Sequence, residues 1–280
     1  MIIFKSSDQI SQHIIQQKKS GKKTGFVPTM GALHQGHLSL VECARKENDL
    51  TICSIFVNPT QFNNPEDFKL YPVTIEKDLE QLIISGCDVL FMPSVSEMYP
   101  TGQLQKQYDL GAIENILEGY YRPGHFQGVC QIVDRMLGIV QPDNLYMGQK
   151  DFQQCMVIHK LLQLIGKDKE IHLNIVPTAR ETDGLAMSSR NLRLNNDQRQ
   201  LAPSIYKELS FIKQQLPSKN FNELKAKAKE HLTQKGFKVD YVEIANAQDL
   251  SEATKNSDQL VALAAASIEN IRLIDNLLLN

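Results

Sequence analysis

Apolar runs with strand character alternate with helical periodicity over the first two-thirds of the chain. Gly25-Phe26-Val27-Pro28 predicts a short strand that runs into a glycine-containing turn, and residues 38–46 predict a helix. Residues 50–57 (LTICSIFV) predict a buried strand stopped by Asn58-Pro59. Residues 74–85 carry leucine and isoleucine at helical spacing, with Thr74 as N-cap and Gly86 as C-cap. Residues 87–92 predict the next strand, 125–140 a helix, 145–147 a short strand, 151–165 a helix and 171–176 a further strand. Strand–helix alternation with short turns implies a mostly parallel sheet covered by helices. The pattern then changes. Residues 197–215 and 221–235 predict two amphipathic, lysine-rich helices, followed by strands at 239–244, 260–266 and 271–278. The expectation is an α/β domain over 1–180 and a smaller α+β domain over 181–280, with the boundary within 180–191.

Composition bounds this picture without changing it. At ~150 residues per domain, 280 residues suit about two domains. That length buries a core without a disulfide or metal staple. Hydrophobic residues at 42% and charged residues at 22% are ordinary globular values, which argues against disorder, collagen and coiled coil. The net charge of −2, from 30 basic and 32 acidic residues, speaks against a general nucleic-acid binder and leaves room for a local basic patch. Five cysteines at 43, 53, 87, 130 and 155 form no CxxC pair. Met1-Ile-Ile-Phe is too short for a signal peptide, so the cysteines read as reduced core thiols of a soluble cytoplasmic protein. The apolar stretch at 260–268 is about half a membrane span, so no membrane partner is expected.

Several common motifs are missing. No two glycines are separated by one residue, which excludes GxGxxG. Gly21-Lys22 is no phosphate loop, because Gln16 stands where the first glycine belongs and Lys23 follows the lysine. Neither HExxH nor GxSxG occurs.

The strongest local signal is Pro28-Thr29-Met30-Gly31-Ala32-Leu33-His34-Gln35-Gly36-His37-Leu38, which follows the first strand and opens a helix. Gly31 permits a tight turn, Gly36 lets a flat group approach the backbone, and His34 and His37 fall on one helix face. A helix start favours anionic phosphate, and two imidazoles beside it can donate to phosphate oxygens. The same pair also suits a metal or an ordinary surface role, although no nearby cysteine or carboxylate has zinc-ligand spacing. HxGH in this place resembles the HIGH signature of class I nucleotidyltransferases. That resemblance implies ATP on a Rossmann-like sheet, with attack at its α-phosphate.

Such an enzyme needs downstream cations and hydroxyls. Met187-Ser188-Ser189-Arg190 resembles the KMSKS loop of that superfamily, and read alone it also suits a polar linker. Gly148-Gln149-Lys150-Asp151 begins a helix just past a strand's C-terminal end, where ligands bind in parallel sheets. Read alone, it is equally a salt-bridged helix start. Phe56-Val57-Asn58-Pro59-Thr60-Gln61-Phe62 offers a carboxamide beside an apolar wall, suited to a small hydroxy acid with methyl groups. Tyr71-Pro72 and Arg122-Pro123-Gly124-His125-Phe126 complete the set.

Together PTMGALHxGH, FVNPTQF, RPGHFxGV, GxKDFQQ and MSSRN resemble the pantothenate synthetases (pantoate–β-alanine ligases) from about residue 26 to 194, and more weakly beyond. Two departures are Gln149, where that family usually has Glu, and Ala179, where it has a branched apolar residue. The resemblance implies a Rossmann-like sheet domain of the HIGH type that binds ATP and pantoate, and a smaller C-terminal lid. It implies that pantoate is adenylated by ATP and that β-alanine then displaces AMP. His37, His34, Lys150 and Arg190 are the implied catalytic residues. ATP would meet Met30, Gly31, Ala32, Leu33, His34, Gln35, Gly36, His37, Gly148, Gln149, Lys150, Asp151, Ala179, Met187, Ser188, Ser189 and Arg190. Pantoate would meet Gln61, Gln154 and Met30, and β-alanine would meet Gln61. Asn58, Tyr71 and Arg122 are further candidates. Mg²⁺ is expected with ATP; Asp78 could stand near it, and no protein ligand is assigned. A homodimer is expected from the family alone. The alternative is another HIGH-type adenylyltransferase acting on a different small substrate.

Overall fold

The computed structural model describes residues 1–100, 106–216, 220–254 and 257–280. The chain divides into two compact units, Met1–Gly148 with Val157–Val176, and Gln149–Met156 with Pro177–Asn280.

The first unit is built on six parallel strands: β1 (Ile2–Phe4), β2 (Thr24–Thr29), β3 (Leu50–Ile55), β4 (Val89–Phe91), β5 (Asn144–Gly148) and β6 (His172–Val176). Their order is β1-β4-β3-β2-β5-β6. All six residues of β3 are buried, as a strand covered by helices on both faces requires. From β2 the chain first builds outward through β3 and β4, then returns to lay β5 on the opposite side of β2. The carboxyl ends of β2 and β5 therefore flank a topological switch point, where open α/β sheets bind ligands. Behind it, Val27, Val41, Cys53, Leu82 and Leu90 pack into one apolar cluster. All five cysteines are free thiols. Burial pushes Cys87 and Cys130 up to about 12 and Cys53 well above the ordinary range, so these thiols stay protonated.

Asp143 fixes where β2 and β5 begin. Its carboxylate accepts the Thr24 N–H (2.7 Å), the Thr24 hydroxyl (2.9 Å) and Lys18 Nζ (2.8 Å). Burial raises the carboxyl, and these donors outweigh it and hold it below its ordinary value.

The second unit carries an antiparallel sheet in the order β7 (Lys238–Asn246), β8 (Leu260–Ile268), β9 (Ile271–Leu278). Helices Ser204–Gln215 and Phe221–Gln234 cover it, with Leu209, Ile212, Leu224 and Leu232 packed against alternate β8 residues Ala262 and Ala264. The segment Gln149–Met156 groups with this unit. Its first residues are tied to β9 by the Asn276 carboxamide, which donates to the carbonyls of Gln149 (2.9 Å) and Lys150 (2.8 Å).

Three expectations change. The single helix over 197–215 is two, Asn196–Leu201 and Ser204–Gln215, because Pro203 has no N–H to continue the ladder. The helix expected from 151 begins as a 3₁₀ turn over Gln149–Asp151, before Phe152–Leu164. The pattern also misses β1 and the helix Ser7–Lys19. The strand has three residues, and the helix buries only Ile10 and Ile14, too narrow a stripe to read. No helix among the described residues is long and apolar enough to cross a membrane.

A carboxyl depressed in the folded state contributes stability that is complete above its unfolded value, about 3.9, and is lost as pH falls through the folded value. Asp143→Asn is therefore expected to lower the urea midpoint near neutral pH and to converge on the parent in acid. A gap that stays constant down to acid pH would contradict this role for Asp143.

Candidate active site

The turn after β2 is held from below. The Thr29 hydroxyl donates to the Ser54 carbonyl of β3 (2.7 Å) and accepts the Gly31 N–H (3.1 Å). Gly31 and Ala32 then adopt positive φ, +78° and +48°, to turn the chain into helix Gln35–Glu47. For alanine that conformation costs roughly 1–2 kcal/mol. Asp78 offsets it. The carboxylate is 1% exposed and accepts the N–H groups of Ala32 (2.9 Å) and Leu33 (2.8 Å), one on each oxygen. Thr74 stands at the N-cap position of helix Ile75–Ile84 as expected, but its hydroxyl makes no cap and donates instead to the same carboxylate at 3.0 Å. A Cβ on Gly31 would lie 3.1 Å from Asp78 Oδ2, a tight contact that adds to the positive φ in favouring glycine. Asp78, considered above as a residue near Mg²⁺, has its oxygens directed to the turn.

The two histidines sit at the helix start in distinct roles. His34 is the N-cap and His37 the third helical residue, and together they form a reciprocal capping box. His34 Nδ1 accepts the Gly36 N–H at 3.2 Å, and His37 Nδ1 accepts the His34 N–H at a longer 3.4 Å. The ring centroids are 4.0 Å apart. A nitrogen that accepts a backbone N–H carries no proton itself, so these contacts assign both neutral rings the Nε2–H tautomer. The backbone thus presets each imidazole as an Nε2 donor.

Gln61 lies beside Met30, with Nε2 directed at Met30 Sδ (3.1 Å). Asn58 holds it. Asn58 is 1% exposed; its Nδ2 donates to Gln61 Oε1 (3.1 Å) and to the Gly128 carbonyl (3.1 Å), and its Oδ1 accepts Tyr99 OH (2.8 Å). The RPGHFQGV segment supports the same turn. His125 Nδ1 meets the Gln61 carbonyl at 2.8 Å, and a Cβ on Gly128 would come within 2.3 Å of the Thr60 carbonyl oxygen. Arg122 lies 3.5 Å from Glu118, and Tyr71 packs edge-on against Phe62. A cavity of 260 Å³ opens beside Met30, lined also by Ile55, Phe56, Pro72, Asp78 and Met92.

Of the remaining candidates Gly148 closes the first unit, and the others belong to the second. Gly148 ends β5, and the 3₁₀ turn Gln149–Asp151 follows it, with Lys150 Nζ 3.5 Å from Asp151 Oδ1. Gln154 is half-buried in the first turn of helix Phe152–Leu164. Ala179 and Met187 are neighbours, because the Met187 N–H donates to the Ala179 carbonyl (3.0 Å) across a turn bridged by Arg180 and Ala186. Ser188 caps the 3₁₀ turn Ser189–Arg193 and accepts the Arg190 N–H (3.3 Å), while Ser189 is buried. Asn191 donates to the Ala186 carbonyl (3.0 Å), which closes the loop on itself. The sequence pattern does not single out Asp275. Its carboxylate pairs bidentately with Arg180, at 2.6 and 2.9 Å. Burial raises the Asp275 carboxyl above its ordinary value, and Arg180 opposes the shift. The available signal was a polar Asp-Asn pair inside an otherwise apolar strand. Among the described residues no group of three or more His, Cys, Asp or Glu is placed to hold a metal ion.

A family model described as pantoate-beta-alanine ligase matches residues 2–278. The chain is 44% identical to a pantothenate synthetase of Cytophaga hutchinsonii, over 100% of this chain and 99% of that protein. It is 43% identical to one of Alcanivorax borkumensis, over 96% and 94%. Its fold matches the crystal structure of a pantothenate synthetase from Thermus thermophilus with a TM-score of 0.92 at 37% identity, covering 99% of each chain. It also matches a pantoate-beta-alanine ligase from Francisella tularensis, complexed with beta-gamma ATP and beta-alanine. There the TM-score is 0.83 at 39% identity, covering 99% of this chain and 97% of that one.

Asp78→Ala removes the carboxylate that accepts the buried N–H groups of Ala32 and Leu33, at about 1–3 kcal/mol each. Urea unfolding is expected to register a loss of about 2–6 kcal/mol. A loss below about 1 kcal/mol would mean that the turn does not depend on the carboxylate.

Proposed function

The chain belongs to the pantoate–β-alanine ligase family, and from that membership we infer that it joins pantoate to β-alanine with ATP through a pantoyl adenylate. A pantoate carboxylate oxygen attacks the α-phosphorus in line, and the bond to the β-phosphate oxygen breaks to release diphosphate. The β-alanine amine then attacks the acyl carbon, loses a proton, and expels AMP to leave pantothenate. A free carboxylate is a poor acyl donor, and AMP is a good leaving group. No covalent enzyme intermediate is needed, so catalysis is positioning and electrostatics.

The observation that carries this reading is the capped histidine turn at the end of β2, beside the strand-order switch. His34 and His37 act as Nε2–H donors to the phosphate oxygens, where charge grows in the transition state. The backbone of 30–36 lines the nucleotide beside them. Lys150, Ser188, Ser189 and Arg190 hold the polyphosphate. Asp151 and the Gly148 backbone meet the ribose, Gln149 lies along the nucleotide, and Ala179 and Met187 meet the adenosine. Gln61 and Gln154 bind pantoate oxygens, Met30 packs on its methyl groups, and Gln61 also meets β-alanine. Mg²⁺ enters with ATP as part of the substrate, and no protein ligand is assigned to it. The two compact units share the work, the first carrying the histidine turn and Gln61 and the second carrying Lys150, Ser188 and Arg190. The reading also makes the protein a cytoplasmic homodimer; its five free thiols support the compartment, and family membership alone supports the dimer.

ATP–diphosphate exchange tests the scheme. Exchange is expected to require pantoate and to proceed without β-alanine, and His37→Ala is expected to slow it by about 10²-fold. Exchange indifferent to pantoate would overturn the reaction, and near-parental exchange in His37→Ala would overturn the role of His37.

A further inference from the structure

Strand β9 reads Ile-Arg-Leu-Ile-Asp-Asn-Leu-Leu, and its adjacent Asp275 and Asn276 are both buried. Burying a carboxylate beside a carboxamide is costly unless every polar atom finds a partner. Here the partners are the two loops that carry candidate phosphate ligands. Asn276 Nδ2 has two hydrogens, and one goes to each of two successive carbonyls, Gln149 (2.9 Å) and Lys150 (2.8 Å). Its Oδ1 accepts Gln149 Nε2 (3.1 Å). Holding two consecutive carbonyls fixes the peptide planes on either side of Lys150, and with them the direction in which its side chain leaves the backbone.

Asp275 does the corresponding work for the other loop. Both of its oxygens take N–H groups of Arg180, and Oδ1 also accepts the Asn276 N–H (2.8 Å). Arg180 in turn donates to the Gly184 carbonyl (3.1 Å) and the Asn276 carbonyl (3.1 Å), and stacks 3.9 Å over the Tyr206 ring. Tyr206 packs so closely that a Cβ on Gly184 would meet it at 2.3 Å. The turn that Arg180 anchors runs directly into Met187 and Ser188.

We propose that Asn276 is a positioning residue that aims Lys150 at the phosphates, and that Asp275 anchors through Arg180 the loop carrying Ser188 and Arg190. The proposal rests on the reading of Lys150 as a polyphosphate ligand. Asparagine is the required type at 276. Alanine offers no donor, and aspartate would set an oxygen against two carbonyl oxygens.

The test compares Asn276→Ala, Asn276→Asp, Lys150→Ala and the double variant Lys150→Ala/Asn276→Ala. Each is measured for single-turnover diphosphate release with ATP and pantoate, for the KM of ATP and of pantoate, and for its melting midpoint. Each Asn276 variant is expected to lose ~10-fold or more in adenylation, since a displacement of ~1 Å costs up to about 10²-fold. The KM for ATP should rise while that for pantoate stays, a split that a general loss of fold would not produce. The double variant should be no slower than Lys150→Ala. If Asn276→Ala does not fold, the isosteric Asn276→Asp decides alone. Losses that multiply in the double variant, or Asn276 variants within twofold of the parent while Lys150→Ala is impaired, overturn the positioning role only. Full activity in Lys150→Ala overturns the reading of Lys150, and the positioning role with it.

Discussion

Two backbone N–H groups must find an acceptor where β2 leaves the sheet, and Asp78 supplies one oxygen to each. The turn exists because of that pairing. A positive φ at Ala32 is a conformation that alanine adopts only under constraint, and the constraint is a carboxylate buried at the start of helix Ile75–Ile84. What the turn delivers is orientation. The chain enters helix Gln35–Glu47 with His34 extended and His37 already helical, which lets each Nδ1 accept a backbone N–H. The chemistry proposed for the histidines is thus set by a residue that touches neither ring in the hydrogen bonds described.

The second unit uses the same device with different residues. A buried aspartate again receives paired donors, now from a guanidinium, and a neighbouring asparagine secures two carbonyls. In both units the groups meant for phosphate sit at helix starts and tight turns, while the carboxylates and the carboxamide that orient them sit on a helix or a strand. That division suits phosphoryl chemistry without a covalent intermediate, in which small displacements of a donor are felt in the rate. It also explains how a chain with a net charge of −2 serves an anionic substrate. The cations are placed individually, and the overall balance carries no trace of them.

Much of this was legible in the sequence. β-rich runs ended by Pro or Gly located β3, β4 and β6, helix His125–Val140 fell where the periodicity put it, and the HxGH segment lay at the end of a strand as its pattern required. These are local signals. The supports were not legible, because they are tertiary. The sequence offers Asp78 only as a residue near Mg²⁺, and its support of the turn shows once Ala32 and Leu33, some 46 positions earlier, are brought to it. Gly128 looks like a tolerated helix glycine until the Thr60 carbonyl is found where its Cβ would be. Asp275 and Asn276 read as a flaw in an apolar strand, and Thr74 as a simple cap.

Whether the turn presets both imidazoles as Nε2–H donors is read from long-range ¹H–¹⁵N correlation spectra of the histidine rings, recorded at a pH well above the ordinary histidine value of about 6.5. His34 and His37 are both expected to show an unprotonated Nδ1 and a protonated Nε2 before any substrate is added. A protonated Nδ1 on either ring, or rapid averaging between the two tautomers, would contradict it.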